Sequence, residues 1–429
     1  MKNRRSFIRQ LSAIGGLSTL PYFTSQTGKA LLQAIQEKAN TAAIDLVQDE
    51  EFWYLIKQAY TVSPTLLNLN NGGVSPQPKV VQEAVERYNQ LSNEAPSFYM
   101  WRTLDMGREP LRARLADLAG CSAEEIAINR NTSEALETII FGLRLAAGDE
   151  VVLSRQDYPN MINAWKQREL RDGIVLKWVD FQYPIEDKQA IVKQYVAAFT
   201  EQTKILHLTH VINWNGQILP IKEIALEAKK QNIEVVVDAA HSFAHLEYAI
   251  PDLHCDYFGT SLHKWLCAPF GSGLLYVKRD KIKNLYPLLA APNPEQDNIR
   301  KFEHLGTRSF AIEQAIGQAI DFHLMIGAER KFKRLHFLKN YWAEQVLKLP
   351  NVEILTSLLP EFGGAIALLN IVGKKPEKVA QQLFGKYKIH TTTLKTKNIY
   401  GVRITPNVYT TTKDLDRLVV AIKEIVQRK

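Results

Sequence analysis

The strongest constraint in this chain is a rhythm. From about residue 64, short strand-like runs alternate with stretches of helical spacing. Val80–Leu91 has helical spacing, Ile126–Ile128 reads as a short strand, and Thr132-Ser133 supplies cap chemistry for a helix over Ser133–Leu145. Gly148-Asp149 then turns the chain into a strand at Glu150–Leu153. Strands at Val175–Val179, Lys204–Leu208 and Val235–Asp238 follow, with helices at Asp187–Phe199 and Ile221–Gln231 between them. Tyr257–Thr260 and Gly273–Val277 complete a series of seven strands. This alternation predicts an α/β fold with a mainly parallel sheet and helices on both faces. Ligands of such sheets collect beyond the carboxyl ends of the strands.

The rhythm changes after residue 310. Ala311–Leu347 reads as one long helical stretch. Short strands are predicted near Val352–Leu355, Ala365–Asn370 and Val402–Ile404, with helices at Glu377–Tyr387 and Lys413–Val426. The expected organisation is a large domain over 64–310 and a smaller α+β domain over 311–429, joined by residues 44–63. The apolar stretch Leu358–Val372 is broken by Glu361 and Asn370 and reads as buried strand. No run reaches the roughly 18 uninterrupted apolar residues that a spanning helix needs.

Charge narrows the classes of partner. The net charge of +8 hides an asymmetry. Lys2, Arg4, Arg5, Arg9 and Lys29 carry +5 of it, with no acid before residue 30, which leaves +3 for the other 399 residues. A body so nearly neutral has no footprint for a nucleic-acid backbone. At 46% hydrophobic and 23% charged residues, the chain is neither disordered nor a small disulfide scaffold. Cys121, Cys255 and Cys267 form no close pairs, so buried thiols are expected rather than a disulfide framework or a zinc ribbon.

Asn3-Arg4-Arg5-Ser6-Phe7-Ile8-Arg9 sets paired arginines just ahead of a Phe, and a mild apolar stretch follows from Leu11 to Leu20. This resembles a twin-arginine signal, an address for sending folded proteins across a bacterial membrane. Residues 1–35 are therefore expected to be signal and linker, with the twin-arginine export machinery as a partner and a periplasmic or otherwise exported location. No clear cleavage motif appears; a cut between 28 and 43 is expected.

The chemistry gathers at strand ends. Val235-Val236-Val237-Asp238-Ala239-Ala240-His241 delivers a carboxylate to the end of a buried strand. Such a group is costly to desolvate unless a cation or donor meets it. Farther on, Ser261-Leu262-His263-Lys264-Trp265 runs into Pro269-Phe270-Gly271-Ser272-Gly273, which sets Lys264 twenty-six residues after Asp238. A lysine crowded into an apolar turn has its amine pKa lowered, which suits imine chemistry.

The Asp-x-x-His strand end, the Ser-x-His-Lys turn and the glycines behind it resemble the class V aminotransferase family. This is a branch of the fold-type-I pyridoxal-5′-phosphate (PLP) enzymes that also holds cysteine desulfurases and kynureninases. Leu262 departs from the small residue common at that position. Leu-His-Lys-Trp is instead similar to the isopenicillin N epimerase-like subgroup. The resemblance spans roughly residues 64–425.

The resemblance implies roles. Lys264 would form the Schiff base with PLP and move the substrate's α-proton. Asp238 would pair with the pyridine nitrogen. His241 and Asn213 would approach the phenolic oxygen, and Tyr158 would stack on the ring. Thr132 and Ser133, between a strand and a helix, would hold the phosphate, closed from the lysine turn by Ser261 and His263. Gly306-Thr307-Arg308 resembles the element whose Thr, here Thr307, reaches the phosphate of a neighbouring subunit; a homodimer with shared sites is implied. Arg403 would grip the substrate carboxylate, and Asn71-Gly72 would approach the substrate. No metal site is expected.

Desulfurases of this class need a Cys shortly before that arginine, and residues 388–402 contain none. The expected activity is therefore at Cα of an amino acid or peptide-like aminoacyl substrate, epimerase-like. An aminotransferase or C–S lyase of the same family is the alternative. From another class, an exported binding protein without turnover would not need both Lys264 and Asp238.

Overall fold

The computed structural model describes residues 15–427 except 16, 19 and 396–398. The Arg4-Arg5 pair and the rest of the expected export motif lie outside the described residues.

The predicted strands form one seven-stranded sheet. In chain order they are β1 (Ile126–Asn129), β2 (Glu150–Ser154), β3 (Val175–Val179), β4 (Thr203–Thr209), β5 (Glu234–Asp238), β6 (Tyr257–Ser261) and β7 (Gly273–Val277). Their spatial order is β1-β7-β6-β5-β4-β2-β3. Only β7 runs antiparallel to its neighbours, β1 and β6. Both faces are covered, and β5 shows how. Val235 and Val237 enter one apolar core, while Val236 enters another that holds Met161 and Trp165.

That two-residue period decides where the polar strand ends point. Asp238 shares the face of Val236. Thr209 pairs in register with Asp238 and shares the face of Ile205. Ser261 shares the face of Tyr257. All three open beneath the helix Thr132–Gly142, whose Ala135, Leu136 and Ile139 pack in the same core. Gly259 permits this approach, because a Cβ there would meet Ala135 Cβ and Leu136 at 2.9 Å.

The expected helix over 311–347 is two helices, Phe310–Ile326 and Ala328–Val346. Gly327 separates them with φ +92°, a backbone state that a side chain disfavours. Beyond it lies a four-stranded antiparallel sheet of β8 (Val352–Ile354), β9 (Ala367–Ile371), β10 (Thr392–Lys395) and β11 (Tyr400–Ile404), ordered β10-β11-β9-β8. Of the apolar stretch 358–372, only Ala367–Ile371 is strand. The preceding segment crosses to the large sheet's side, where the Phe362 carbonyl accepts from Ile218 N–H at 2.9 Å. Its backbone is satisfied there, so it needs no ladder.

The N-terminal arm differs from a loose linker. The helix Gln26–Glu37 buries Leu31 and Ile35 completely, and Phe23 and Leu17 join the same core. Farther on, Arg334 donates to Val47 O at 2.8 Å and pairs with Glu50, and Lys57 pairs with Asp414 at 2.7 Å. Residues 44–63 thus fasten the C-terminal helices to the body. Cys255 and Cys267 are buried and Cys121 is half-buried; all three are free thiols. Among the described residues, no helix is long and apolar enough to cross a membrane.

Candidate active site

A cavity of about 240 Å³ opens at the carboxyl ends of β4, β5 and β6. On its floor lie Asp238, Thr209 and His241, with Lys264 at one side. Lys264 follows β6 by three residues, in the turn that leads to β7, and its Nζ stands 3.2 Å from His241 Nε2. Desolvation pulls the Lys264 amine down to about 8, with Asp238 opposing and Arg403 assisting. The Asp238 carboxyl moves up because it is buried, although the Ala240 N–H at 2.9 Å and Lys264 both favour its anion. Burial holds His241 well below the usual imidazole range, and the cations Lys264 and Arg403 push the same way.

The opposite end is a helix N-terminus. Asn131 caps the helix by accepting from Glu134 N–H at 2.9 Å. Thr132 N–H donates to Ser261 Oγ at 2.9 Å, and the two hydroxyls lie 2.7 Å apart. Thr132, Ser133, Ser261 and His263 all line the cavity here. His263 Nδ1 is turned to the Ser272 carbonyl at 3.0 Å. Tyr158 lines the rim and is 38% exposed, open for a flat partner on its free face.

Asn213 lines the cavity with a buried Oδ1 that has no partner among the described residues. Its carbonyl accepts from Arg403 Nη1 at 2.9 Å. Arg403 reaches the site from β11, and burial brings its guanidinium down to about 10. Its Nη2 donates to Asn70 Oδ1 at 3.0 Å, and its Nε is buried without a partner among the described residues. Asn70 was not singled out in the sequence. It is placed by a nonlocal pair, Leu67–Asn68 beside Ile389–His390, which no local pattern announces.

Asn71 has another task. Its side chain donates to the carbonyls of Asn68 and Thr405 and accepts from Tyr409 Oη at 2.6 Å. It braces the loop, while Gly72 lies against Thr405 and within 3.7 Å of the Arg403 guanidinium carbon, measured from a Cβ placed on it. Thr307 is not brought to Lys264. It lines a separate cavity with Arg308, Glu303 and Glu313. Thr209 was also missed, although its place at a strand end in register with Asp238 is the kind of signal that marked Asp238.

The profile of the aminotransferase class-V family matches residues 67–418. The chain belongs to the class-V aminotransferase family. Isopenicillin N epimerase of Streptomyces clavuligerus is 27% identical over 387 residues, covering 86% of this chain and 97% of that one. A probable cysteine desulfurase of Halalkalibacterium halodurans is 29% identical over 348 residues, covering 77% and 83%. Among solved structures, a variant of the protein C-DES with glycine covalently linked to its PLP cofactor superposes with a TM-score of 0.76 at 19% identity, covering 85% of this chain and 97% of that one. The fold is that of the fold-type-I PLP enzymes.

PLP is the cofactor of this family, and the class-V site here fits it. An aldehyde needs a nucleophilic amine, and Lys264 carries one at a lowered pKa. A pyridine nitrogen needs a buried acid, which Asp238 could supply. A phosphate needs a helix N-terminus with small hydroxyls, which Thr132, Ser133 and Ser261 provide. The unpartnered Asn213 Oδ1 and Arg403 Nε leave polar capacity for a guest.

Proposed function

We propose that this enzyme acts at Cα of an amino acid or aminoacyl substrate in the manner of the isopenicillin N epimerases. The observation that carries the reading is a neutralisable amine, Lys264, in the cavity with a buried guanidinium, Arg403, behind its Asn213 wall and near enough to lower that amine's pKa. The two are suited to a substrate that has an α-hydrogen and a carboxylate on the same carbon. PLP, when bound, supplies an electron sink for a bond broken at Cα. Arg403 would hold the carboxylate and so orient Cα, with Asn70 and the Asn213 carbonyl fixing its fork. Lys264 Nζ would take and return the α-proton, and His241 would set that amine's direction. Asp238 would keep the pyridine nitrogen protonated from a desolvated position.

The absence of Cys from residues 388–402 weighs against persulfide chemistry. The test is incubation with L-amino acids in deuterated water. Deuterium at Cα together with D-product supports epimerisation. Keto acid would point to transamination, and sulfide from cysteine or cystine to a C–S lyase. No exchange with any substrate would favour a binding protein.

The proposal extends to assembly and location. Thr307 sits apart from Lys264, as expected if it serves a second copy's phosphate in a homodimer; light scattering of the purified protein tests this. The twin-arginine motif supports export to the periplasm, and retention in the cytoplasm on Arg4→Lys with Arg5→Lys is the expected outcome.

A further inference from the structure

Beside the lysine stands a tryptophan whose ring reaches the active site by its nitrogen. We propose that Trp265 is a positioning residue that holds His241 in the tautomer with its proton on Nε2, so that an N–H is what Lys264 meets. This deepens the reading above and rests on it for the role of Lys264, though not for the tautomer.

The argument is one of donors and acceptors. An indole nitrogen only donates. Trp265 Nε1 points at His241 Nδ1 at 3.4 Å, so Nδ1 must present its lone pair. A second proton on the ring is disfavoured, because His241 is buried with Lys264 and Arg403 nearby. The single proton then resides on Nε2, and Nε2 faces Lys264 Nζ at 3.2 Å. An ammonium has three donors and no acceptor. Only the neutral amine can accept from this N–H. The geometry therefore selects the nucleophilic form of Lys264.

Trp265 is held firmly enough to do this. It is fully buried, and its carbonyl accepts from the Lys331 ammonium. Its ring stacks on His245 at 4.1 Å and 21°. His245 is itself pinned. Ala365 N–H donates to His245 Nε2 at 3.1 Å, so His245 Nδ1–H donates to the His241 carbonyl at 2.8 Å. A Cβ on Gly364 would meet the His245 ring at 2.4 Å, so the segment leading into β9 forms the seat of that ring. His241 is thus gripped at its backbone by one histidine and at its ring by the tryptophan.

Several charged and titratable groups face these rings, among them the Cys267 thiol, which donates to the Trp265 carbonyl at 3.8 Å, and His210 beside His245. Asp238, Arg403, His241 and His263 face Lys264. Lys331 and His323 lie behind Trp265, with His336 and Lys339 beyond His245. Among the described residues, Trp265 is the donor to His241 Nδ1.

The direct test reads the tautomer in the full-length protein labelled with ¹⁵N-histidine, with the His241 signals assigned by their loss in His241→Gln. A protonated Nε2 and a bare Nδ1 near neutral pH are expected. A proton on Nδ1 overturns the proposal, whatever Lys264 does. The second test follows the rate at which added PLP couples to the cofactor-free chain as pH rises, trapped by borohydride. In Trp265→Phe the ring is free to turn a lone pair toward Lys264 and stabilise the ammonium. The midpoint should climb by about one pH unit, the scale of a hydrogen bond to a charged group. In the His241→Gln background, Trp265→Phe should add nothing. A rise that persists without His241 would mean loosened packing and overturns the assignment. If the parent chain never couples PLP, the proposed function fails, while the ¹⁵N result still decides the tautomer. If Trp265→Phe does not fold, the same spectrum decides.

Discussion

Arg403 Nη1 donates to the Asn213 carbonyl at 2.9 Å, and this bond ties the small sheet to the crossover that follows β4. It holds a guanidinium from one part of the chain beside a cavity built by the other, near enough to act on Lys264 and His241. Arg403→Ala should therefore raise KM for carboxylate substrates by roughly thirty- to a hundredfold, the worth of about 2–3 kcal/mol for a charged hydrogen bond. Cofactor content should change little. Steady-state kinetics beside a cofactor assay checks this, and unchanged KM removes Arg403 from the site.

Lys264→Ala should abolish covalent retention of PLP, read by mass after borohydride treatment. In the parent chain, the coupling rate depends on the neutral amine. Burial brings that amine down from 10.5 to about 8. Because the neutral form is the nucleophile, coupling should rise with pH through about 8 and level off above it. A midpoint near 10 would show an amine in bulk-like solvent.

Gly259→Ala should destabilise by about 1–3 kcal/mol through overpacking. The new Cβ would press on Ala135 and Leu136, which leaves the helix carrying Thr132 and Ser133 no room. A lower thermal midpoint with weaker PLP binding is the expected pair of results. A fall in stability with unaltered binding would separate the helix from the phosphate.

Leu31 is wholly buried in the N-terminal arm. Leu31→Ala should cost about 2–5 kcal/mol, as large-to-small changes in a core do. Thermal unfolding reads it directly. A chain cut between 28 and 43 would lose Phe23 and Leu17 from the same core and should unfold at lower temperature than the full chain. Equal midpoints would show that the arm adds nothing to the fold.

Much of the site was readable because it is built from strand ends. Valines at 235–237 announce a strand with both faces covered, and period two then assigns Asp238 to a face. The same logic covers Ser261 and reaches Lys264 through the turn. A helix start near Thr132 and Ser133 was readable, which is local, but the capping side chain is that of Asn131, one residue earlier than the expected Thr132-Ser133. The helix break at Gly327 was not, since a glycine inside an apolar helical pattern is often tolerated and its φ of +92° is set by packing on either side.

Periodicity and capping are short-range, so residue order was enough to assign the parallel sheet, its ligand-bearing edge and the lysine turn. Long-range closure was needed for the rest. Asn70 reached Arg403 only because Leu67–Asn68 pairs with Ile389–His390, more than 300 positions away. Thr307 was directed to a second cavity by the helices around it. Trp265 met the ring of His241 because two loops fold over one sheet edge. Contacts of this kind depend on where whole elements come to rest, and no window of neighbouring residues encodes that.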